Sequence, residues 1–430
     1  YKAATEVAAQ RAIRAGFITT QSITQKQNRA VIVDAEAKGA RVVWAIADHP
    51  WNDGSKEARV RVAMTVIARD TRSATLVRVD GNAKVVETQR VARINSDLSA
   101  HADVAAATRV GLLANEGLSA AGYKLHGSGF VVQSREAGRL LAADPKLAAV
   151  LRPYRSGKDF TTRPRCAYVI DFGLMVEEDA RRFPVLYDLV RDRVKPERDA
   201  NSRAVYAKFW WRFGEARRDL RAASMGLGRY IATPETAKHR LFEFFSGNMA
   251  PDNSLIAIAI DDAFVLGVLS SAIHAIWALA AGSRLGIDGT PRYNKGPCFE
   301  AFPFPEPAAF LRAKIAELAE QIDAHRRAAL ARDEKIGMTL MYNVIDRLRS
   351  GEALTKAERE VHELAACGTL RDLHDELDRR VAEAYGWTWP EAPAVILERL
   401  VTLHDLRIQE EGAGTVRWLR PEYQIARFAK

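Results

Sequence analysis

The chain has 430 residues and a formal net charge of +9, which allows two or three domains and favours an anionic partner. Charges of both signs are spread along the chain, which indicates a folded protein with basic faces rather than a charged tail. Its three cysteines are far apart and show no Cys-x-x-Cys or Cys/His spacing, so neither a disulfide framework nor a zinc site is indicated. A reducing cytoplasm fits this usage best.

The first ninety residues alternate between helical and strand patterns. Helices are predicted over residues 2–14 and 24–38, and strands at "GFITT", "RVVWAIAD" and "RVRVAMTVIAR". The last two strands are joined by the loop "HPWNDGSKEA". Gly81-Asn82 then lies between two alternating runs, which predicts a hairpin on a two-residue turn. This order predicts the end of an α/β sandwich with a largely parallel sheet.

The region from about 95 to 305 is mixed, with short helices and isolated strands such as "CAYVIDF". Its most apolar stretch, residues 255–282, is interrupted by Asp261, Asp262 and His274, which predicts a short buried strand and a buried helix rather than a membrane span. His274 is interpreted as a core histidine rather than a ligand. After Pro307 the pattern changes to long amphipathic helices.

Standard catalytic motifs are mostly missing. The sequence has no G-x-S-x-G, no Walker loop, no His-Glu-x-x-His and no G-x-G-x-x-G after a strand. "HGSGF" at 126–130 lacks the spacing that cradles a pyrophosphate, so a turn that needs glycine is the favoured interpretation.

Ordered sequence blocks point to a known family. "AGFITTQSI" and "ARVVWAIADHPWNDGSKEARVRVAMTVIAR" resemble the later sheet strands of class I S-adenosylmethionine-dependent DNA methyltransferases that modify the adenine amino group. The wider resemblance is to the MmeI-like branch of restriction-modification and phage-defence systems. It continues in the family's order through the blocks "GYKLHGSGFVV", "LRPYRSGKDFTTRPRCAYVIDF", "KFWWRFGEARRDLR", "RYIATPETAKHRLFEF", "RYNKGPCFEAFPFPEP" and "LHDELDRRVAEAYGW".

The resemblance implies three domains. Residues 1–92 are expected to be the C-terminal part of a Rossmann-like methyltransferase sheet, 93–306 a mixed α+β target recognition domain that binds double-stranded DNA, and 307–430 a helical C-terminal domain. Other defence-system subunits are further candidate partners, and no membrane is expected.

The sequence departs from the family's pattern in one respect. The Asn/Asp-Pro-Pro-Tyr/Phe motif that holds the target amino group is absent, as are the glycine-rich loop and acidic residue that bind the cofactor. In the family both precede the region that matches Tyr1, so we expect a chain that begins part-way through the catalytic domain. S-adenosylmethionine is then the cofactor of the intact enzyme. This chain alone is expected to bind no cofactor or metal and to be inactive.

Trp51 is the candidate that the resemblance gives for stacking on a flipped base. An extruded base needs an aromatic or apolar face, and related enzymes place an aromatic residue in the loop before a late strand. The alternative is that Trp51 packs on the sheet edge.

DNA contacts are expected in the recognition region. Between 203 and 243, nine basic residues stand against four acidic ones, beside Trp210 and Trp211. "TPETAKHR" is predicted to start a helix capped by Thr233, with Pro234 in its first turn. The candidate DNA-binding residues are Arg155, Lys158, Asp159, Trp210, Arg212, Arg229, Thr233, Lys238, His239, Arg240, Arg292, Asn294 and Lys295.

Each candidate also has a structural interpretation. Charged clusters on helices are most often solvated faces. "RSGKD" at 155–159 could be a plain turn with Asp159 as its local cap, and the Phe-Pro half of "RYNKGPCFEAFPFP" is expected to dock the helical tail. Two rival functions remain, a stand-alone DNA-binding or specificity subunit and the methyltransferase part of a fused restriction endonuclease.

Overall fold

The computed structural model describes residues 2–24, 28–51, 60–69, 73–100, 102–285 and 289–429. The chain divides into two compact units. The first unit comprises Tyr1–Val110 with Ala392–Asp405, and the second unit comprises Gly111–Glu391 with Leu406–Lys430.

The elements of residues 1–110 are α1 (Lys2–Ala8), β1 (Arg14–Thr20), α2 (Ala30–Ala37), β2 (Ala40–Trp51), β3 (Val60–Arg69), β4 (Ala74–Val79), β5 (Val85–Val91) and α3 (Val104–Ala107). Strands and helices then follow as β6 (Ser119–Ala121), β7 (Val131–Val132), α4 (Ser134–Ala143), β8 (Leu151–Arg155), α5 (Gly157–Thr161), β9 (Tyr168–Ile170), α6 (Glu177–Ala180), α7 (Pro184–Asp199), α8 (Ala204–Lys208), α9 (Arg218–Ser224), β10 (Arg229–Pro234), β11 (Glu243–Ser246), β12 (Ala250–Pro251), β13 (Leu255–Ile258), α10 (Ala263–Ser270), α11 (Ala272–Ala281), β14 (Ser283–Leu285) and β15 (Thr290–Arg292). The remaining helices are α12 (Ala309–Arg332), α13 (Met338–Ser350), α14 (Lys356–Ala365), α15 (Cys367–Ala384), α16 (Pro393–Gly412) and α17 (Pro421–Phe428). Short 3-10 turns lie at Gln21–Thr24, Leu113–Asn115, Ser128–Phe130 and Pro145–Ala149, and a π-helical turn at Gly296–Glu300.

The first unit is built on a five-stranded sheet with strand order β1-β3-β2-β4-β5. Only β2 and β4 pair in parallel, and the other three pairs are antiparallel. The prediction of a largely parallel sheet is therefore wrong. β3 lies between β1 and β2 and runs antiparallel to both. The sheet buries Val7, Ile32 and Val42 against its helices.

The predicted hairpin between β4 and β5 is confirmed, but its turn is longer than two residues. Asp80–Lys84 connects the strands, and the Asp80 carboxylate accepts hydrogen bonds from the backbone N–H groups of Asn82 and Lys84, both at 2.9 Å. Aspartate closes turns of this kind by bonding the backbone just after it. The two predicted helices are shorter than expected, because β1 already begins at Arg14 and α2 begins only at Ala30.

The second unit holds three sheets, with strand orders β11-β10-β13-β6, β12-β8-β9-β7 and β14-β15. "CAYVIDF" contains the predicted strand, as β9. The predicted helix start in "TPETAKHR" is wrong, because Arg229–Pro234 forms β10 in the interior of the first of these sheets. Thr233 is fully buried there rather than capping a helix. Its β-branched side chain suits a buried strand, but the following proline favoured the prediction of a helix start.

The most apolar stretch forms β13 followed by the bent helix pair α10 and α11, where one buried helix was predicted. The pair bends by 65° at Ser271, whose hydroxyl caps α11. Within the described ranges, no single helix is both long and apolar enough to span a bilayer, and this bent pair meets that test only by length and composition. Most of α10 is buried, and α10 packs against α12 so closely that a Cβ on Gly267 would lie 2.7 Å from Ile315.

The predicted helical tail is confirmed as α12 to α17. α13 ends at Ser350 and is followed by Gly351, which has φ 74°, and the segment "GWTWPEAP" lies between α15 and α16. "HGSGF" forms a tight turn in which a Cβ on Gly129 would lie 2.7 Å from the Arg193 carbonyl oxygen, so glycine is required there. The boundaries after residues 92 and 306 stay predictions.

Candidate nucleic-acid interface

One group of partly exposed polar side chains in the second unit lies on residues 290–295, here called the 292 loop. β15 pairs with β14 on one side. On the other side, the Tyr293 N–H donates to the Glu235 carbonyl oxygen at 2.6 Å and the Ala237 N–H donates to the Pro291 carbonyl oxygen at 3.3 Å. Segment 235–237, which follows β10, therefore fixes the backbone of the loop.

Arg292 and Glu235 form an ion pair at the surface of this loop. Nε and Nη2 of Arg292 donate to Glu235 Oε1 at 3.0 and 2.7 Å. The arginine side chain is 39% exposed and the glutamate side chain 27% exposed. Among the described residues, Arg292 Nη1 and Glu235 Oε2 have no other hydrogen-bond partner, which leaves one donor and one acceptor. A fixed donor beside a fixed acceptor can read the edge of a base pair.

Asn294 and Lys295 continue the loop. Asn294 Oδ1 accepts from the backbone N–H and the hydroxyl of Ser283 at 2.9 and 2.7 Å, which ties the loop to β14 and leaves the amide NH2 group unused. Lys295 is exposed, and its ammonium group donates to Glu300 Oε1 at 2.5 Å. Both side chains retain donors that a partner could accept from.

Tyr293 anchors the loop from below. It is buried, and His274 Nε2 lies 3.1 Å from its hydroxyl oxygen. Burial lowers the pKa of His274 to about 3 and raises that of Tyr293 well above its ordinary value, so both rings are neutral. The interpretation of His274 as a core histidine is confirmed by its complete burial.

Arg240 stacks on the same tyrosine, with its guanidinium carbon 5.0 Å from the ring centre. It donates to the Thr233 hydroxyl at 3.0 Å and to the Pro234 carbonyl oxygen. No carboxylate among the described residues pairs with it, and burial lowers its pKa. Arg240 therefore places an uncompensated positive charge next to the 292 loop.

A cleft of about 920 Å³ adjoins the loop. Its floor includes β6, the edge strand of its sheet, and its walls include Asn294 and Lys295 together with Arg217 and Arg427. The sequence prediction missed Glu235, Arg217 and Tyr293 as site residues. Glu235 and Arg217 entered the sequence analysis only through the numbers of acidic and basic residues. Glu235 pairs with Arg292, which lies 57 residues further along the chain, and such a pairing leaves no local sequence signal.

The remaining basic groups of "RYIATPETAKHR" attach the sheet to the helices. Arg229 pairs with Glu320 of α12 at 2.6 Å and lies 3.7 Å above the Phe244 ring. Lys238 and His239 both approach Asn343 Oδ1 of α13, at 2.6 and 2.9 Å. Lys238 is exposed and retains two further donors, whereas the His239 side chain is 11% exposed. DNA contact by these three residues stays a prediction.

Three candidates at 155–159 have different surroundings. Arg155 is largely buried in an ion pair with Glu243, and its guanidinium carbon lies 5.3 and 5.1 Å from the ring centres of Phe160 and Phe245. Asp159 accepts from the Ser156 N–H and hydroxyl in a capping box at the start of α5, so it acts as the local cap of the alternative interpretation. Lys158 is exposed, which leaves its ammonium group accessible.

Trp210 and Arg212 are used inside the unit. Trp210 is 5% exposed and packs edge to face on Trp211. Arg212 donates from Nε and Nη2 to the Met175 carbonyl oxygen at 2.9 and 2.6 Å and covers the Phe209 ring. With Arg155, Asp159 and Thr233, these side chains have structural roles in the described conformation.

Trp51 is the last residue of β2 and lies opposite Val60 of β3, so it ends the strand rather than lying inside the loop. Its side chain is 41% exposed. Residues 52–59, most of the predicted loop, lie outside the described residues. Elsewhere in the part of the chain that is described, no group of three or more His, Cys, Asp or Glu side chains is arranged to hold a metal ion.

Comparison with known proteins places this interface in a family region. Residues 116–306 match the MmeI target recognition domain. The match contains the 292 loop, its supporting segment 235–237, Arg240 and the adjoining β6. No curated protein gave a match.

The structure is also similar to a solved structure of the type IIL restriction-modification enzyme MmeI in complex with DNA, with a TM-score of 0.70 and 17% identity. The similarity covers 95% of this chain and 51% of the MmeI chain, so this chain spans about half the length of MmeI. It shows a shared mixed α/β fold. The type IIG restriction endonuclease BpuSI also matches, over 86% of this chain and 48% of its own, at 11% identity and a TM-score of 0.30.

Proposed function

We propose that this chain is the DNA-recognition half of a site-specific adenine-N6 DNA methyltransferase of a restriction-modification or phage-defence system. The observation that carries the proposal is the half-exposed Arg292–Glu235 pair on a loop fixed from two sides, inside the region that matches the MmeI target recognition domain. An arginine donor suits the O6 and N7 acceptors of guanine, and a glutamate acceptor suits the N4 amino group of cytosine.

Other residues are proposed to make different kinds of contact with the DNA. Arg240, Lys238, Lys158 and Lys295 are proposed to hold phosphate, because each retains hydrogen-bond donors. None of them is joined to a glutamate in the way that Arg292 is joined to Glu235, with a donor and an acceptor placed to contact one base pair together. Asn294 is proposed to donate its free amide to a base or a phosphate. Trp51 is proposed to support the flipped adenine in the intact enzyme.

We propose that this chain alone does not bind S-adenosylmethionine. No glycine lies in the connection from β1 to α2, and glycine is what a strand-to-helix cofactor loop needs for a close backbone approach. This chain contributes DNA binding, sequence reading and the proposed stacking face.

The proposal is tested by methylation-sensitive sequencing of DNA from cells that express the intact gene. We expect N6-methyladenine within one motif, and we expect Arg292→Ala to relax that motif at a single position. Unmethylated adenine in the wild-type sample would refute the methyltransferase assignment. A motif unchanged by Arg292→Ala would refute the role of the 292 loop.

A fused restriction endonuclease is the second candidate, because the solved MmeI chain is described as a restriction-modification enzyme and is about twice as long as this one. Cleavage of unmethylated duplex by the intact gene product would favour it over a modification enzyme.

A further inference from the structure

A second basic surface lies on a segment that the sequence analysis did not select. α4 and the 3-10 turn Pro145–Ala149 that packs beside it carry Arg135, Arg139 and Lys146, all exposed. We call these three residues the α4 patch. In the described ranges none of the three side chains has a hydrogen bond or an ion pair.

The acidic groups of the same segment are already occupied. Glu136 accepts from Arg193 of α7 at 2.7 Å, and the Asp144 carboxylate accepts from the Lys146 backbone N–H at 3.0 Å, where it caps the 3-10 turn. Neither carboxylate forms an ion pair with a side chain of the α4 patch. Three positively charged side chains within twelve residues therefore face the solvent without an ion-pair partner among the described residues.

Three cations on the neighbouring helix α7, in contrast, have ion-pair partners. On α7, Arg191 pairs with Asp188 at 2.7 Å, Arg193 with Glu136 at 2.7 Å, and Lys195 with Asp199 at 2.5 Å. An ordinary solvated helix face has this mixed arrangement, in which opposite charges three or four residues apart meet.

The shape of the segment suits a close approach to an extended anion. Arg135 and Arg139 are four residues apart and so lie on one face of α4. Gly138 lies between them, is exposed, and has nothing within 4 Å of where a Cβ would be. The adjoining exposed residues are small as well, namely Ala142, Ala143, Ala148 and Ala149.

We propose that the α4 patch binds the phosphate backbone of the DNA that the 292 loop reads, as a contact that is independent of sequence. This inference rests on the proposed function. Guanidinium and ammonium groups without partners give up no internal bond when they contact phosphate, and each such contact releases condensed counterions.

The test is a salt titration of duplex binding by the full 430-residue chain, with the triple variant Arg135→Ala/Arg139→Ala/Lys146→Ala. Each lost phosphate contact should flatten the slope of log affinity against log salt by about 0.9, so the triple variant should lose about 2.7. Binding to cognate and scrambled duplexes should weaken by the same factor. The charge-preserving variant Arg135→Lys/Arg139→Lys should keep the wild-type slope.

Lys356→Ala is the matched control, because Lys356 is also exposed and, in the part of the chain that is described, has no partner, but it lies outside residues 116–306. It should bind as the wild type does. A wild-type slope for the triple variant would overturn the α4 patch and leave the proposed function standing. If the wild type binds no duplex even at low salt, both fail together.

Discussion

Arg292 and Arg155 show that two arginines predicted from similar basic contexts can lie in different surroundings. Arg292 shares one carboxylate oxygen of Glu235 and remains 39% exposed, whereas Arg155 is buried against Glu243 with 13% exposure. The sequence supplies the residue type in both cases. What separates them is a partner 57 or 88 residues away, and long-range partners leave no local pattern.

Trp51 gives the first prediction at the residue scale. In the intact enzyme, Trp51→Ala should reduce the methylation rate by the loss of a stacking face, worth about 1–3 kcal/mol by analogy with base–aromatic contacts. Trp51→Phe should retain most of the rate. The measurement is single-turnover methylation of a cognate duplex. If the alanine variant matches the wild type, the side chain only packs on the sheet.

His274 gives a prediction about pH. Burial, with a smaller effect from the charge of Arg240, lowers its pKa from 6.5 to about 3 in the folded chain. The unfolded chain takes up this proton below pH 6.5 and the folded chain does not, so the stability that neutral His274 contributes is complete above pH 6.5 and falls towards pH 3. Between pH 7 and pH 5 the loss should be about 2 kcal/mol.

Urea unfolding of the wild type and His274→Gln at both pH values isolates this effect, because glutamine does not titrate. The wild type should lose about 2 kcal/mol more than the variant over this interval. Equal losses in the two proteins would show that His274 does not control the acid sensitivity.

At the scale of elements, the pair Arg155–Glu243 joins the end of β8 in one sheet to the start of β11 in another. Burial raises the pKa of Glu243, which shows the cost of holding its charge there. Arg155→Met should therefore lower the free energy of unfolding by about 3–5 kcal/mol, because it leaves a buried carboxylate without its partner.

The double variant Arg155→Met/Glu243→Leu should recover much of that loss, since removal of both charges also removes the desolvation cost. The check is urea unfolding of the wild type, the single variant and the double variant. A double variant that is less stable than the single variant would contradict this account of the pair.

Elements were predictable where the local pattern was strong. The alternating runs around Gly81-Asn82 gave the β4–β5 hairpin, and the helical spacing after Pro307 gave α12 to α17. The prediction of a helix start in "TPETAKHR" was wrong because Thr-Pro is common both at helix starts and at strand ends. Thr233 is buried between two neighbouring strands, and this environment favours the strand. The prediction of a largely parallel sheet was wrong because strand direction and order depend on which strands pair. No single segment encodes that pairing.

For the whole molecule, the ordered sequence blocks carried more information than composition did. They predicted a recognition domain over 93–306, and the MmeI target recognition domain matches 116–306. They did not predict that the Arg229–Arg240 region would attach to α12 and α13 within one compact unit that also contains the 292 loop. Those attachments depend on Glu320 and Asn343, which lie 91 and 105 residues beyond their partners.

The central claim is that this chain reads DNA sequence through the 292 loop. Its most direct test is selection from a random duplex library by the 430-residue chain, which measures sequence reading without any methyl transfer. The wild type should enrich one motif. Arg292→Ala should enrich the same motif with one position degenerate, equivalent to about 1–3 kcal/mol of lost discrimination. Binding without enrichment of any motif, or an identical motif from Arg292→Ala, would contradict the account.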